Sequence, residues 1–276
     1  MARQKRIALI NDITGFGRCS VTVQLPLISA MRVQACPLPT AILSVHTGFP
    51  NHYLDDYTDR MRPYMENWAA NALEFDAILT GFLGSERQIE VVLECIARFK
   101  QRTTQLVVDP VMGDNGSLYS SYTPALCAKM RQLLPQADVV TPNLTEACQL
   151  LGADYPTGGL VTEDELARMA AAIAAMGPRT VIITGLHADE NVRTYLYADG
   201  CGCSFDNPKV GRDRSGAGDA FSAIIAAALV RGIPLAEGVP RAADFIGHCL
   251  TYAEELDLPW NHGLPFEEFM GELTEL

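Results

Sequence analysis

The sequence predicts an α/β protein, a three-layer α/β/α sandwich with a central, mainly parallel sheet and an antiparallel hairpin at the sheet edge. Short apolar runs alternate with amphipathic segments through most of the 276 residues, and this alternation is typical of βαβ units with helices on both faces of the sheet. Two later strand-like runs flank Asp199-Gly200, a dipeptide that favours a hairpin turn.

The predicted elements follow one another with short connections. The strands lie at Arg6–Ile10, Gln34–Leu43, Ala77–Thr80, Gln105–Val108, Val139–Thr141 and Thr180–Thr184. The helices between them lie near Ser20–Met31, Leu54–Ala72, Glu86–Lys100, Pro124–Leu134, Leu144–Leu151 and Glu163–Met176. The hairpin, a buried helix and two final helices follow at Val192–Ala198 with Cys203–Asp206, Ala220–Val230, Leu235–Glu255 and Pro265–Leu273. Because no Ser/Gly/Pro-rich linker divides the chain, residues 1–276 are expected to form one domain.

The composition limits the classes of partner. With 21 basic and 33 acidic residues the net charge is −12, so neither nucleic acid nor an anionic membrane is an expected partner, because both need clustered Lys and Arg. The run Ile7–Ile10 is short and reads as a first strand, not as a signal peptide. The eight cysteines lack paired spacing, which indicates reduced thiols in a cytoplasmic enzyme. Cys201 and Cys203 are expected at a turn into an edge strand, not in a zinc site.

A polar, glycine-rich loop, Asp213–Phe221, leads directly into the buried helix. Gly216 and Gly218 allow close approach to the backbone, and the free N–H groups of a first helical turn favour an anion. Taken alone, such glycines also fit a tight turn. Asp219 favours the anion site, since a carboxylate beside it can serve as the base for a hydroxyl that attacks a phosphoryl group.

This stretch resembles the D-[ST]-x-G-A-G-D signature of the ribokinase superfamily of small-molecule kinases, with Arg214 where Thr is usual. The resemblance implies a ribokinase-like fold and ATP as the phosphoryl donor. It also implies that Asp219 is the general base and that Gly216, Ala217 and Gly218 form an anion hole for the transferring phosphate. We expect ATP and its phosphates to be bound by four further residues: Asp114, Thr184, Ser215 and Val210.

Polar or glycine residues follow each predicted strand, where ligands of open α/β sheets gather. They are Asn11-Asp12, Ser44–Gly48, Gly81-Phe82, Asp109–Asp114, Thr141–Glu146 and Thr184-Gly185. We expect these strand ends to converge with the glycine loop in one site. The stretch Gly15–Ser20 comes close to a dinucleotide-binding pattern but ends in Ser, and is expected to form a flexible turn that covers the acceptor.

Asn143-Leu-Thr-Glu146 follows a strand and begins a helix. It is the pattern of a capping box, but it also resembles the N-x-x-E motif with which ribokinase-like enzymes position Mg²⁺ and phosphate. Asp109 and Asp114 resemble the family's D-P-V-x-G-D segment, which implies that Asp109 lies near the metal. The alternatives are that Asp109 only ends its strand and that Asp114 only forms a turn.

The segments Ser44–Phe49 and Leu79–Phe82 resemble the S-N-H-T-G-Y and L-T-G-Y segments of pyridoxal kinases. That resemblance implies that His46 and Thr47 contact the edge of a pyridine ring and that Phe82 packs on its face. Asp12, however, lies in a loop closer to the T-D-P-S-G loop of hydroxymethylpyrimidine kinases.

The sequence therefore predicts an ATP- and Mg²⁺-dependent kinase that phosphorylates the 5′-hydroxymethyl group of a B6 vitamer, namely pyridoxal, pyridoxamine or pyridoxine. Its partner is then a small-molecule substrate, and we expect a homodimer. The alternatives are a hydroxymethylpyrimidine kinase, a sugar kinase and a non-catalytic protein that binds a pyridoxal compound.

Overall fold

The computed structural model describes residues 3–275. The strands are β1 Arg6–Phe16, β2 Gln34–Val45, β3 Leu54–Asp56, β4 Ala77–Thr80, β5 Gln105–Val108, β6 Gly113–Asp114, β7 Ser117–Leu118, β8 Val139–Val140, β9 Thr180–Ala188, β10 Asn191–Ala198 and β11 Cys201–Pro208. The α-helices are α1 Val21–Ala30, α2 Thr58–Ala70, α3 Glu86–Phe99, α4 Pro124–Met130, α5 Leu144–Leu151, α6 Glu163–Ala174, α7 Ala217–Arg231, α8 Leu235–Glu255 and α9 Met270–Leu273.

Within residues 3–275, nine of these strands form one sheet in the order β11-β10-β9-β8-β5-β4-β1-β2-β3. The strands from β2 to β9 in that order are parallel to one another. The edges are antiparallel, with β3 against β2 and the β10–β11 hairpin against β9. The small pair β6–β7 forms a separate hairpin.

Both faces of the sheet are buried under helices, because successive side chains of a strand point to opposite faces. In β1, Ala8 and Ile10 pack with helices α2 to α6, whereas Ile7 and Leu9 pack with α1, α7, α8 and α9. Helix α7 lies in the second layer, and its residues Ala220–Ala228 are all buried. The three-layer fold and the edge hairpin predicted from the sequence are confirmed.

The first strand is longer than predicted. After a register shift between Asn11 and Ile13, β1 continues beside β2 until Phe16 pairs with Val45. The expected flexible turn therefore begins only at Gly17, because the paired strand holds the two residues before it.

Three helices also differ from the prediction. The segment Leu54–Asp56 is a strand paired with β2, and α2 begins at Thr58, where the Asp56 carboxylate accepts a hydrogen bond from the Thr58 N–H at 2.7 Å. Helix α4 ends at Met130 and continues as a 3₁₀ helix. The predicted final helix from Pro265 is reduced to a 3₁₀ turn and the four residues of α9. Local hydrophobic pattern does not separate these short elements from regular helices.

No helix in residues 3–275 is long and apolar enough to cross a membrane.

Candidate active site

The anion-binding loop is built around the N-terminus of α7. Gly216 has a positive φ of 89°, and a Cβ atom there would lie 2.1 Å from the Arg18 carbonyl oxygen. Glycine is therefore the residue that this close approach requires. Gly218, in contrast, faces open space among the described residues. Within residues 3–275 no side chain caps α7. The Ala217 N–H makes only a long hydrogen bond to the Arg214 carbonyl, at 3.4 Å, and the Gly218 N–H has no partner in that part of the chain, so this first turn can present donors to an anion.

Asp219 lies in the first turn of α7 and is held by two donors. Its Oδ2 accepts from the Ser20 N–H at 2.7 Å and its Oδ1 from the Asn11 Nδ2 at 3.0 Å. Burial raises the pKa of Asp219 to about 6, and the negative charge of Asp12 adds to the rise, while the two hydrogen bonds oppose it. The carboxylate is thus oriented and closer in basicity to neutral pH than an ordinary aspartate.

Asn11 connects Asp219 to the main chain at the ends of β1 and β4. It is fully buried. Its Nδ2 donates to Asp219 and to Gln24 Oε1 at 2.9 Å, and its Oδ1 accepts from the N–H groups of Asp12 at 2.9 Å and Phe82 at 2.8 Å. Sequence reasoning named Asn11 as a strand-end residue without a role. The available signal was an amide directly after the apolar run Ile7–Ile10.

Asp12 is buried, and Thr14 donates its hydroxyl to Asp12 Oδ2 at 2.7 Å. Burial raises the pKa of Asp12, against the lowering effect of nearby hydrogen bonds. Asp12 is therefore a second buried carboxyl group near Asp219.

Three further acids are Asp109 directly after β5, Asp114 in β6 and Glu146 in the first turn of α5. Asp109 and Glu146 are buried, at 6% and 4% exposure, and burial raises the pKa of each well above its ordinary value. The charge of Asp219 adds to the rise at Asp109, and that of Asp109 to the rise at Glu146. Burial, together with the nearby Asp213, also raises the pKa of Asp114.

Among residues 3–275, none of the five acids Asp12, Asp109, Asp114, Glu146 and Asp219 forms an ion pair. Buried carboxyl groups without a cationic partner suit a divalent cation, which would favour their ionised form.

The capping box at α5 is fully formed. Asn143 Oδ1 accepts from the Glu146 N–H and Glu146 Oε2 accepts from the Asn143 N–H, both at 2.9 Å. Glu146 Oε1 also accepts from the Met112 N–H at 3.1 Å, and Asn143 Nδ2 donates to the Gly113 carbonyl at 2.8 Å. The motif therefore forms the predicted capping box. Its two side chains also bind the segment that follows Asp109 to the N-terminus of α5.

The donor set can be tested against a metal ion. Within residues 3–275 no three His, Cys, Asp or Glu side chains are close enough together to hold one. In the same part of the chain, the buried hydroxyls of Thr80 and Thr141, at the ends of β4 and β8, lack a hydrogen-bond partner. Buried carboxylates and unsatisfied hydroxyls at one edge fit an ion that keeps much of its water, as Mg²⁺ does.

His46 has both ring nitrogens engaged by the main chain. Nδ1 accepts from the Gly48 N–H at 3.0 Å, so Nε2 carries the proton and donates to the Asn261 carbonyl at 2.8 Å. The ring also packs edge-on to Phe49, with centroids 5.0 Å apart. Both ring nitrogens are thus used within the chain, and His46 fixes the turn that carries Thr47; the contact of His46 with the edge of a substrate ring stays a prediction.

The remaining predicted residues lie around this centre. Thr47 is exposed in the turn after β2, and Phe82 is half-buried, packed edge-on to Tyr122 at 5.9 Å. Thr184 is half-buried in β9 and forms a bridge with Asn143. Ser215 and Val210 lie half-buried in the loop between β11 and α7.

This α/β/α sandwich, with a carboxylate beside a helix N-terminus at the carboxyl edge of its sheet, is that of a small-molecule kinase, a phosphotransferase with a hydroxyl group as acceptor. Comparison with known proteins makes the assignment more specific. Residues 25–263 match the phosphomethylpyrimidine kinase family, and the chain belongs to it.

Relatives within the family carry two kinds of name. A hydroxymethylpyrimidine/phosphomethylpyrimidine kinase of Rhizobium meliloti is 29% identical over 90% of this chain and 91% of its own length. A pyridoxine kinase of Bacillus subtilis is 33% identical over 68% of each chain. The bifunctional thiamine biosynthetic enzyme TH1 of Arabidopsis thaliana is 31% identical over 72% of this chain, which spans 37% of that longer protein.

Solved structures show the same division. A candidate phosphomethylpyrimidine kinase from Bacteroides thetaiotaomicron is 36% identical, with a TM-score of 0.95 over 99% of this chain and 94% of its own. A second structure of that protein, with pyridoxal, has a TM-score of 0.92 at 35% identity over 99% and 96% of the two chains. An ADP complex of Bacillus subtilis pyridoxal kinase has a TM-score of 0.76 at 27% identity over 90% and 92%.

Proposed function

We propose that the protein transfers the γ-phosphoryl group of ATP to the 5′-hydroxymethyl group of a B6 vitamer. The observation that carries the reaction is the position of Asp219, which is oriented by Asn11 and Ser20 beside the N-terminus of α7. The choice of a pyridine acceptor is supported by the pyridoxal in the Bacteroides thetaiotaomicron structure. The ADP in the Bacillus subtilis structure supports ATP as the donor.

Asp219 orients the acceptor hydroxyl and takes its proton as the new P–O bond forms. The backbone N–H groups of Gly216, Ala217 and Gly218 donate hydrogen bonds that stabilise the negative charge of the transferring phosphoryl group. Because phosphoryl transfer passes through a loose transition state, proton removal can come late, and a carboxylate of modest basicity is sufficient. Asn11 and Ser20 keep the carboxylate in the geometry that this transfer needs.

On the donor side, Asp114, Thr184, Ser215 and Val210 line the path of ATP in this proposal. Asp109, Asn143 and Glu146 would hold a hydrated Mg²⁺, with Asn143 and Glu146 placed by the capping box. When bound, Mg²⁺ neutralises the charge of the polyphosphate. The support for this arrangement is the group of buried, unpaired carboxylates toward α5.

On the acceptor side, Phe82 supplies an aromatic platform and Thr47 a directional hydrogen bond to the ring, while Asp12 faces the same space from β1. His46 acts through the turn that it fixes. We further propose that residues 1–276 act as one domain, that two copies form a homodimer, and that the enzyme works in the cytoplasm.

The test is a coupled assay of ADP release with each B6 vitamer, followed by mass spectrometry of the product. We expect ADP release that depends on the vitamer and a product phosphorylated on its 5′-hydroxymethyl group. ADP release without acceptor phosphorylation would contradict the proposal.

A second candidate function is phosphorylation of hydroxymethylpyrimidine. It is favoured by the buried Asp12 in β1 and by the name of the Rhizobium meliloti relative. The same assay with hydroxymethylpyrimidine distinguishes the two.

A further inference from the structure

The segment after α8, residues 258–264, lies between the phosphoryl-transfer loop and the acceptor turns, and we refer to it as the C-terminal bridge. Its contacts reach segments far away in sequence. At its far end, the Leu264 N–H donates to the Ser215 carbonyl at 3.1 Å. The bridge is thus hydrogen-bonded to the loop that leads into α7.

The near end of the bridge is held by Arg214. Its side chain is 2% exposed, and Nη1 donates to the carbonyl oxygens of Leu258 at 2.9 Å and Pro259 at 3.1 Å. Nη2 donates to Glu254 Oε1 at 2.9 Å. A planar guanidinium can satisfy several acceptors at once with little loss of freedom per bond. Arg214 therefore fixes the bridge from a position two residues before Gly216.

The middle of the bridge contacts the acceptor side. The Asn261 carbonyl accepts from His46 Nε2 at 2.8 Å, and the His262 carbonyl accepts from Arg18 Nη1 at 3.2 Å. The backbones also pack tightly, since a Cβ atom on Gly263 would lie 1.9 Å from the Gly17 carbonyl oxygen. Both turns proposed to bind the acceptor, after β1 and after β2, therefore contact the bridge.

We propose that the C-terminal bridge sets the position of the acceptor turns relative to the anion-binding loop, and that Arg214 and His46 are the positioning residues at its two sides. The inference rests on the proposed phosphoryl transfer but not on which hydroxymethyl compound is the acceptor. In-line transfer requires the hydroxyl and the phosphoryl group to be aligned, and a displacement of about 1 Å can cost on the order of 100-fold in rate. Arg214 and His46 contribute to the reaction through this alignment, without contact to either substrate.

The first test is Arg214→Met, measured with whichever acceptor the wild type phosphorylates. We expect kcat to fall about 10- to 100-fold while KM for ATP and for the acceptor changes less than about threefold, since both binding surfaces keep their own residues. Arg62→Met is the matched control, because it removes a bidentate guanidinium–carboxylate pair with Glu94 between α2 and α3, and it should leave kcat unchanged. A purely structural Arg214 would instead lower Tm and leave kcat unchanged well below Tm.

Rescue by guanidinium keeps the inference testable if Arg214→Met folds poorly, and a double variant tests it further where that variant folds. Millimolar guanidinium should restore part of the kcat of Arg214→Ala by occupying the vacated place beside the two carbonyls, and should not affect Arg62→Ala. The double variant Arg214→Met/His46→Gln should lose less kcat than the product of the two single losses, because both act through one segment. Full additivity, or no rescue, would overturn the inference.

The two proposals fail in different ways. A wild type without kinase activity on any hydroxymethyl compound would refute the proposed function. An active wild type with an Arg214→Met variant that matches Arg62→Met would refute only the role of the bridge.

Discussion

At the scale of single residues, the pair Asn11 and Asp219 explains how a buried carboxylate stays oriented at the site. The two lie 208 positions apart in sequence and their side chains are 3.0 Å apart. The side-chain nitrogen of Asn11 donates to Asp219, and its side-chain oxygen accepts from the Phe82 N–H. One buried side chain thus ties the proposed base to the proposed acceptor platform.

The first prediction concerns the base itself. Asp219→Asn should lose about 10²- to 10⁴-fold in kcat, the usual contribution of a positioned base, with little change in ATP binding. The control is Asp244→Asn, an exposed change on α8 whose partner is Asn207, which should keep full activity. Retention of more than about a tenth of wild-type kcat would remove Asp219 from the role of base.

The same variant carries a prediction for stability. The folded-state pKa of Asp219, about 6, lies above its ordinary value, so the folded protein binds this proton more tightly than the unfolded chain. The stabilising contribution is fully present below the unfolded pKa and is lost as pH rises through about 6. Asp219→Asn should therefore have a Tm at pH 8 no lower than that of the wild type, and the difference should shrink toward pH 4. A Tm that falls at pH 8 but not at pH 4 would contradict this sign.

The pH profile of kcat/KM gives a further prediction, since the base must be ionised to act. We expect activity to fall as pH drops through about 6, where Asp219 takes up its proton. Asn11→Leu removes a hydrogen bond that lowers the pKa of Asp219, so the acidic limb should move to higher pH. An acidic limb that stays in place, or moves to lower pH, would show that another group controls it.

At the scale of elements, the N-terminus of α5 combines a structural and a proposed chemical role. The capping box is present, as the sequence pattern allowed, and Glu146 also binds the Met112 N–H in the segment after Asp109. A capping box alone needs no second buried acid beside it. The position of Glu146 near Asp109, whose charge adds to the rise in the pKa of Glu146, is what favours a cation there.

Glu146→Gln separates the two roles. Glutamine can also complete a capping box, but its amide nitrogen cannot accept from the Met112 N–H, so we expect a modest fall in Tm. The Mg²⁺ concentration for half-maximal rate should rise about 3- to 10-fold, more than KM for the acceptor does. Glu165→Gln is the matched control, because Glu165 closes the capping box of α6 with Thr162 on the surface. Equal and small effects of the two substitutions on Mg²⁺ dependence would leave Glu146 with the capping role alone.

The sequence predicted the elements that show a clear local pattern. It did not predict those that depend on hydrogen bonds to a neighbouring strand. Helix α7 and the edge hairpin follow from local pattern. Strand β3 and the extension of β1 to Phe16 do not, because they exist only through hydrogen bonds to β2. His46 shows the same limit within the site, since the Asn261 carbonyl that occupies its Nε2 comes from a segment 215 residues away.

At the scale of the whole molecule, the parallel order of β2 to β9 brings the strand ends to one edge, and the acids there gather without cationic partners among residues 3–275. The convergence of the strand ends at one edge was predicted from the alternation of strands and helices. The C-terminal bridge and the clamp by Arg214 were not, because they depend on where the chain after α8 crosses the edge. The acceptor, likewise, depends on how the turns after β1 and β2 are placed together.

The identity of the acceptor is tested by kcat/KM for pyridoxal, pyridoxamine, pyridoxine and hydroxymethylpyrimidine under one set of ATP and Mg²⁺ concentrations. If Phe82 and the turn carrying Thr47 form a pyridine pocket, at least one vitamer should exceed hydroxymethylpyrimidine by about tenfold or more, roughly 1.4 kcal/mol in transition-state binding. A preference for hydroxymethylpyrimidine would contradict the proposal of a B6 vitamer, and would mean that the Asp12 segment of β1 selects the acceptor.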